Sequence, residues 1–190
     1  LTLYAFSVEN WKRPREEVTG LMSLLIRYLR SEERELHERR LRLRVIGRWE
    51  DLPSDVQREL RRVMEQTAAH EKGQLVLALS YGGRTEIAAA ARRIAEEVKA
   101  GRIDPSTIDE CLFARYLYAP DIPDPDLIIR TSGEMRLSNF LLWQASYAEF
   151  YVTPVLWPDF REKEFYEALE EYRRRRRRFG GLDENDERPE

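Results

Sequence analysis

Short apolar runs alternate with amphipathic segments long enough for helices, and this alternation limits the fold more than any other feature. Leu1 to Phe6 carries no charge and is rich in β-favouring residues, the pattern of a fully buried strand. From Glu16 to about Arg40, Val18, Leu21, Met22, Leu25, Tyr28, Leu29 and Leu36 recur at three- and four-residue spacings. That spacing predicts a long helix, opened by Pro14 with Glu16 and Glu17. Leu41 to Gly47 reads as a second strand. Pro53 starts a helix to about Glu71, with Val56, Leu60, Val63, Met64 and Thr67 inward, Ser54 or Asp51 as cap and Gly73 as its stop. Leu75 to Tyr81 is a third strand, and Gly82-Gly83 precede a helix through Ile87, Ala91, Ile94 and Val98. Asp109 to Tyr118 is a short helix, and Pro120, Pro123 and Pro125 stiffen a connector. Leu127 to Ile129 is a fourth strand, Phe140 to Tyr147 reads as helical, Glu149 to Val152 as a strand, and 161 to about 179 as the last helix. Strands joined through helices pair in parallel, because a tight hairpin reverses direction and a crossover does not. The expected class is therefore α/β, a central mostly parallel sheet with helices on both faces.

At 190 residues, with no internal repeat, residues 1–182 are expected to form a single domain, and 183–190 a disordered acidic tail. The 42% hydrophobic and 35% charged content describes a soluble, helix-rich chain, and a net charge of −3 argues against general nucleic-acid binding. A single cysteine, Cys111, excludes an internal disulfide and fits a reducing, cytoplasmic setting, where it is expected to serve as a small packing residue. No window of eighteen apolar residues predicts a transmembrane helix. His37 and His70 lie on separate predicted helices without ligand spacing, so both are expected as solvated residues rather than a zinc site. In the last helix the acids come early and Arg173 to Arg178 late. Pairs such as Glu170 with Arg174 and Glu171 with Arg175 make that run a solvated helix rather than a nucleic-acid or membrane patch.

Chemistry concentrates where two strands end. After Phe6 come a hydroxyl (Ser7), a carboxylate (Glu9), an amide (Asn10), an indole (Trp11) and a guanidinium (Arg13). Carboxyl ends of strands are where open α/β sheets hold ligands, and these groups suit a phosphorylated ligand with an apolar part. After Ile129, Arg130, Ser132, Glu134, Arg136 and Ser138 crowd one short loop; two guanidiniums so close are more than solubility needs and suit a diphosphate. Gly82-Gly83 with Arg84 reads either as a phosphate cradle or simply as a tight turn. Glu149, amid Tyr147, Ala148, Phe150 and Tyr151, needs either a salt-bridge partner or a cation.

Five motifs then carry a resemblance: residues 1–14 (Leu-Thr-Leu-Tyr-Ala-Phe-Ser-Val-Glu-Asn-Trp-Lys-Arg-Pro), Ser-Tyr-Gly-Gly-Arg (80–84), residues 126–144, Tyr-Ala-Glu-Phe-Tyr (147–151) with Leu-Trp-Pro-Asp-Phe (156–160), and Arg-Arg-Phe-Gly-Gly (177–181). In this order, over residues 1 to about 182, the chain resembles the cis-prenyltransferases, and among them the bacterial undecaprenyl diphosphate synthases. The resemblance implies sequential cis-condensation of isopentenyl diphosphate onto an allylic prenyl diphosphate such as farnesyl diphosphate, with Mg²⁺. The product would be a long-chain, undecaprenyl-like carrier lipid for cell-wall glycans, made by a cytoplasmic homodimer with peripheral membrane contact for product release. It assigns proton removal to Asn10, substrate contacts to Ser7, Val8, Glu9, Trp11 and Arg13, and the isopentenyl diphosphate site to Arg130, Arg136, Leu137 and Ser138. Glu149 matches a magnesium ligand, Glu17 an acidic position behind the loop, and Arg178-Phe179-Gly180 a motif reaching the partner subunit. Met135 stands where some relatives carry His. The family's Asp-Gly-Asn-Gly-Arg-Trp-type loop does not occur in the sequence, so the domain is expected to be N-terminally incomplete. A noncatalytic scaffold subunit of the same fold, or a short- or medium-chain synthase, stays open as an alternative.

Overall fold

The computed structural model describes residues 1–175, which form two compact units, Leu1–Asp121 and Ile122 onward. In the first unit, β1 (Thr2–Ser7), β2 (Leu41–Ile46) and β3 (Gly73–Tyr81) pair in parallel in the order β1-β3-β2. Leu3 stands opposite Leu77, and Leu43 opposite Leu75. The last strand in sequence is the central one, and its composition fits that place. From Val76 to Tyr81 every residue of β3 is buried, without a charge to desolvate.

Two helices, α1 (Arg15–Glu38) and α2 (Ser54–Thr67), cover one face. Val18, Met22, Leu29 and Leu36 from α1 meet Val56, Leu60 and Val63 from α2 over Leu43, Leu77 and Leu79. Val56, Leu60 and Val63 have no solvent exposure, and each such side chain stabilises the fold by about 1.5–3 kcal/mol. Thr67, also fully buried, accepts the Leu43 N–H at 3.0 Å and donates to the Val63 carbonyl at 2.8 Å, tying α2 to β2. Val76 and Ala78 alternate with Leu77 and Leu79 and so face the opposite side, where they are equally buried. After β3, α3 (Gly83–Lys99) buries Ala90 and Ile94, and the short α4 (Glu110–Ala114) is capped by Asp109, whose Oδ1 accepts the Leu112 N–H at 2.7 Å.

Several local expectations need correction. Only Phe6 of β1 is buried and Ala5 is exposed, because β1 pairs with β3 on one side and is an edge of the three-stranded sheet. Gly73 does not stop α2; it is the first residue of β3, opposite Leu41. Pro53 takes the N-cap position of α2, and neither Ser54 nor Asp51 caps it. Cys111 is exposed rather than packed. The two histidines are neighbours, their rings edge to face at 5.0 Å, because α1 and the end of α2 run side by side.

The second unit pairs β4 (Leu127–Arg130) with β5 (Glu149–Val152), again in parallel, followed by α5 (Glu162–Arg174). Phe140 to Tyr147 is a chain of turns, not a helix. Ser138, Asn139 and Leu141 adopt φ of 50°, 65° and 46°, a left-handed backbone that no α-helix contains. The parallel α/β class is as expected. The Arg178-Phe179-Gly180 motif and the 183–190 tail lie outside the described residues. Among the described residues, no helix is long and apolar enough to cross a membrane.

Candidate active site

All three strands of the first unit run the same way, so their carboxyl ends collect at one edge of the sheet, where α/β folds hold ligands. Ser7 closes β1, and Val8–Lys12 turn at once into a single 3₁₀ helix. The Ser7 N–H donates to Asn10 Oδ1 at 2.9 Å, and the Arg13 N–H donates to the Asn10 carbonyl at 3.0 Å. Asn10 is thereby fixed at both ends of its own residue. Trp11 is 38% exposed, yet its indole N–H donates to Ser80 Oγ at 2.9 Å and its ring meets Phe6 edge on at 5.1 Å. A flat apolar wall is thus held in one orientation with a face left open. Arg13 reaches Glu17 at 2.7 Å, Glu9 is exposed, and Val8 is half-buried.

Two backbone features make this edge. Gly47, after β2, has φ of +102°, and a Cβ there would lie 2.3 Å from the Leu79 carbonyl oxygen, so only glycine fits. Ser80 takes φ of +46°, and its carbonyl accepts the Arg48 N–H at 3.2 Å. The sequence did not reveal Ser80 as the support of Trp11, a pairing 69 residues apart. Nor did it reveal Glu86, a buried carboxylate in the first turn of α3 that accepts from Tyr81 Oη at 2.5 Å and the Tyr118 N–H at 2.8 Å. Burial pushes the Tyr118 hydroxyl above the usual tyrosine range, with the Glu86 charge adding to it. Gly82 has φ of −162°, an extended backbone that any residue adopts, so the Gly-Gly pair is no left-handed turn.

In the second unit, Arg130 ends β4 and the loop after it is pinned to the chain leaving β5. Thr153 N–H donates to the Arg130 carbonyl at 2.9 Å, Ser132 N–H to Val155 at 2.9 Å and Gly133 N–H to Thr153 at 2.8 Å. Glu134 sits between the two guanidiniums. Its Oε2 accepts from Arg130 Nη2, and its Oε1 lies 2.7 Å from Arg136 Nη2. The Arg130 hydrogen bond, with the Arg136 charge, holds the Glu134 carboxyl below the usual carboxylate range. Arg130 Nε is buried without an acceptor. A cavity of about 280 Å³ adjoins this loop, lined by Ile128, Arg136, Leu137, Ala145 and Phe150 and by Met135, which is otherwise 83% exposed. Ser138 occupies one of the left-handed positions. Glu149 has a partner: Arg175 donates to its Oε2 at 2.9 Å and to the Phe150 carbonyl at 3.0 Å.

The undecaprenyl diphosphate synthase (prenyltransferase) family model matches residues 1–180. The chain belongs to that family. This cis-prenyltransferase is 52% identical to the isoprenyl transferase of Heliobacterium mobile over 96% of its length and 70% of that protein. It is 50% identical to the isoprenyl transferase of Bacillus subtilis, with the same 96% and 70% coverage. Its fold superposes with a TM-score of 0.92 on lavandulyl diphosphate synthase from Lavandula x intermedia, solved with dimethylallyl diphosphate, at 40% identity over 95% of this chain and 78% of the other.

Within this prenyltransferase the residues expected from sequence fall into two sets. Ser7, Val8, Glu9, Asn10, Trp11 and Arg13 lie together at the sheet edge of the first unit, whereas Arg130, Arg136, Leu137, Ser138 and Glu149 belong to the second. Arg130 and Arg136 converge on one carboxylate; Glu149 is engaged elsewhere, by Arg175. Among the described residues, no three His, Cys, Asp or Glu side chains group closely enough to hold a metal ion. Mg²⁺ is commonly held by one or two carboxylates together with phosphate oxygens; Glu149 is a single carboxylate, and here it is paired with Arg175.

Proposed function

We propose that the chain condenses isopentenyl diphosphate onto an allylic diphosphate such as farnesyl diphosphate in successive cis additions, ending in a long-chain, undecaprenyl-like diphosphate. The observation that carries this reading is the convergence of Arg130 and Arg136 on one anionic group, since paired guanidinium forks are the side chains best matched to a diphosphate. Family membership and the bacterial isoprenyl transferases at half identity support the same chemistry.

In this reading Arg130 and Arg136, with Ser138 and Leu137, hold isopentenyl diphosphate, and the cavity beside Arg136 takes apolar carbon. Ser7, Val8, Glu9, Trp11 and Arg13 contact substrate, the Trp11 face lying against hydrocarbon. Asn10, held by the Ser7 N–H, assists removal of the proton that leaves the adduct. Arg130 and Arg136 neutralise the diphosphate that the isopentenyl unit keeps through the step, while in this reading Arg13 stabilises the charge that grows on the departing allylic diphosphate. Mg²⁺ bound in part by Glu149 would supply further neutralisation of that charge. The enzyme acts as one domain over residues 1–182, as a cytoplasmic homodimer, with peripheral membrane contact for product release and no nucleic-acid partner.

A second reading, a short-chain synthase, is favoured by the TM-score of 0.92 against lavandulyl diphosphate synthase. Incubation with labelled isopentenyl diphosphate and either farnesyl or dimethylallyl diphosphate, with Mg²⁺ or with chelator, separates the readings by product mass. Metal-dependent products of about eleven isoprene units support the long-chain enzyme. Products of two or three units move the assignment to the short-chain class, and no incorporation by folded protein leaves the scaffold alternative.

A further inference from the structure

We propose that Glu134 is a resident competitor at the arginine site, a carboxylate that a ligand must displace from Arg130 and Arg136 before it binds. This rests on the reading that those arginines bind a diphosphate. Glu134 spans the two guanidiniums, one oxygen on each, as a bridging phosphate group would.

Three observations make it a replaceable occupant rather than a structural pair. First, the backbone just before it is anchored: the Ser132 and Gly133 N–H groups donate to the Val155 and Thr153 carbonyls, so that part of the loop stays while the side chain turns. Second, the site is partly open to water, the side chains of Arg130, Glu134 and Arg136 being 28%, 36% and 64% exposed, so the carboxylate has a path back into water on the Arg136 side. Third, the occupant leaves the site unfilled. Glu134 meets Arg130 through Nη2 alone, and Arg130 Nε stays buried with no acceptor. A diphosphate brings more oxygens and more charge.

The consequence is a threshold. Displacing one carboxylate with another monoanion gains nothing in charge, whereas a diphosphate replaces one negative charge with two or three. Because the competitor is the same for every ligand, it weakens all anions by one common factor. Abundant weak anions then fall below useful affinity while a diphosphate stays above it.

The test compares wild type with Glu134→Gln and Glu134→Asp, each confirmed folded by circular dichroism, titrated calorimetrically with inorganic pyrophosphate and with inorganic phosphate. Glu134→Gln keeps shape and removes charge, so both anions should bind about 3–10-fold tighter, the range that two partly exposed ion pairs support, with a steeper salt dependence. Glu134→Asp, one methylene short of spanning both arginines, should fall between. Weaker or unchanged binding in Glu134→Gln overturns the proposal and makes Glu134 an orienting residue or a bystander. If neither wild type nor Glu134→Gln binds pyrophosphate, the diphosphate reading of Arg130 and Arg136 falls first and takes this proposal with it.

Discussion

The edge of the three-stranded sheet and the arginine loop both present polar groups at strand ends, but they are held in opposite ways. At the sheet edge, the key contacts are neutral hydrogen bonds: Trp11 to Ser80 at 2.9 Å and Ser7 to Asn10 at 2.9 Å. In the arginine loop, Arg130 and Arg136 share Glu134, and nearby in sequence Glu149 takes Arg175. Neutral bonds fix orientation and survive salt, whereas a carboxylate shared between partly exposed guanidiniums can be exchanged for a ligand of higher charge. The first region is built to keep its geometry, the second to trade partners.

The largest effect should come from the group most tightly oriented. Asn10→Asp keeps the oxygen that accepts from Ser7 but loses the amide N–H groups. Steady-state kinetics should give a kcat about 100-fold lower or worse with little change in melting temperature. A parallel loss of stability would mean that Asn10 is only a cap. Next, Gly47→Ala puts a methyl 2.3 Å from the Leu79 carbonyl oxygen at a left-handed φ, and thermal unfolding should show a loss of roughly 3 kcal/mol. An unperturbed Gly47→Ala protein would break the claim that the sheet edge is rigid.

In the exchanging region, Arg136→Ala removes one charge-assisted partner. It should raise KM for isopentenyl diphosphate about 10–100-fold, more than it changes kcat, and should flatten the salt dependence of KM. Ser80→Ala, in the fixed region, deletes the acceptor of the Trp11 indole. A cost of about 1 kcal/mol should appear as a severalfold rise in allylic-substrate KM that salt does not alter. If both variants respond equally to salt, the distinction between the two regions is wrong.

The smallest effect concerns neither site. Arg62 hydrogen-bonds Glu33 and Glu59 and holds both carboxyls below their ordinary value of 4.5. A carboxyl depressed in the folded state stabilises it above the unfolded value, and that contribution disappears as pH falls through the folded value. Urea unfolding at pH 7 and at progressively lower pH below 4.5 should show a stability loss in wild type that Arg62→Gln lessens.

Which features could be read from the chain follows from range. Periodicity found α1, α2 and the apolar β3 because those signals repeat within a few residues, and Val56, Leu60, Val63 and Thr67 are fully buried as their spacing required. Phe140 to Tyr147 folds as turns despite its helix-like apolar content, because that content carries no sign of the left-handed φ at Leu141. Ser80 under Trp11, Glu86 beneath Tyr118 and His37 against His70 depend on which elements become neighbours, which no local pattern encodes. Both arginines of the loop were legible, but the carboxylate between them was counted as one polar group among several. Its position matters because its two oxygens reach both.

The strand order β1-β3-β2 has a consequence during synthesis. Neither β1 nor β2 has a sheet partner until β3, which starts at Gly73, leaves the ribosome. At about 5–20 residues per second, β1 waits several seconds for β3, its neighbour in that sheet among the described residues. As α1 and then β2 emerge during that interval, an apolar helix stripe and two unpaired strands become open to chaperones and to other nascent chains. Slow codons just before Gly73 would therefore lengthen the stage in which these two strands are unpaired.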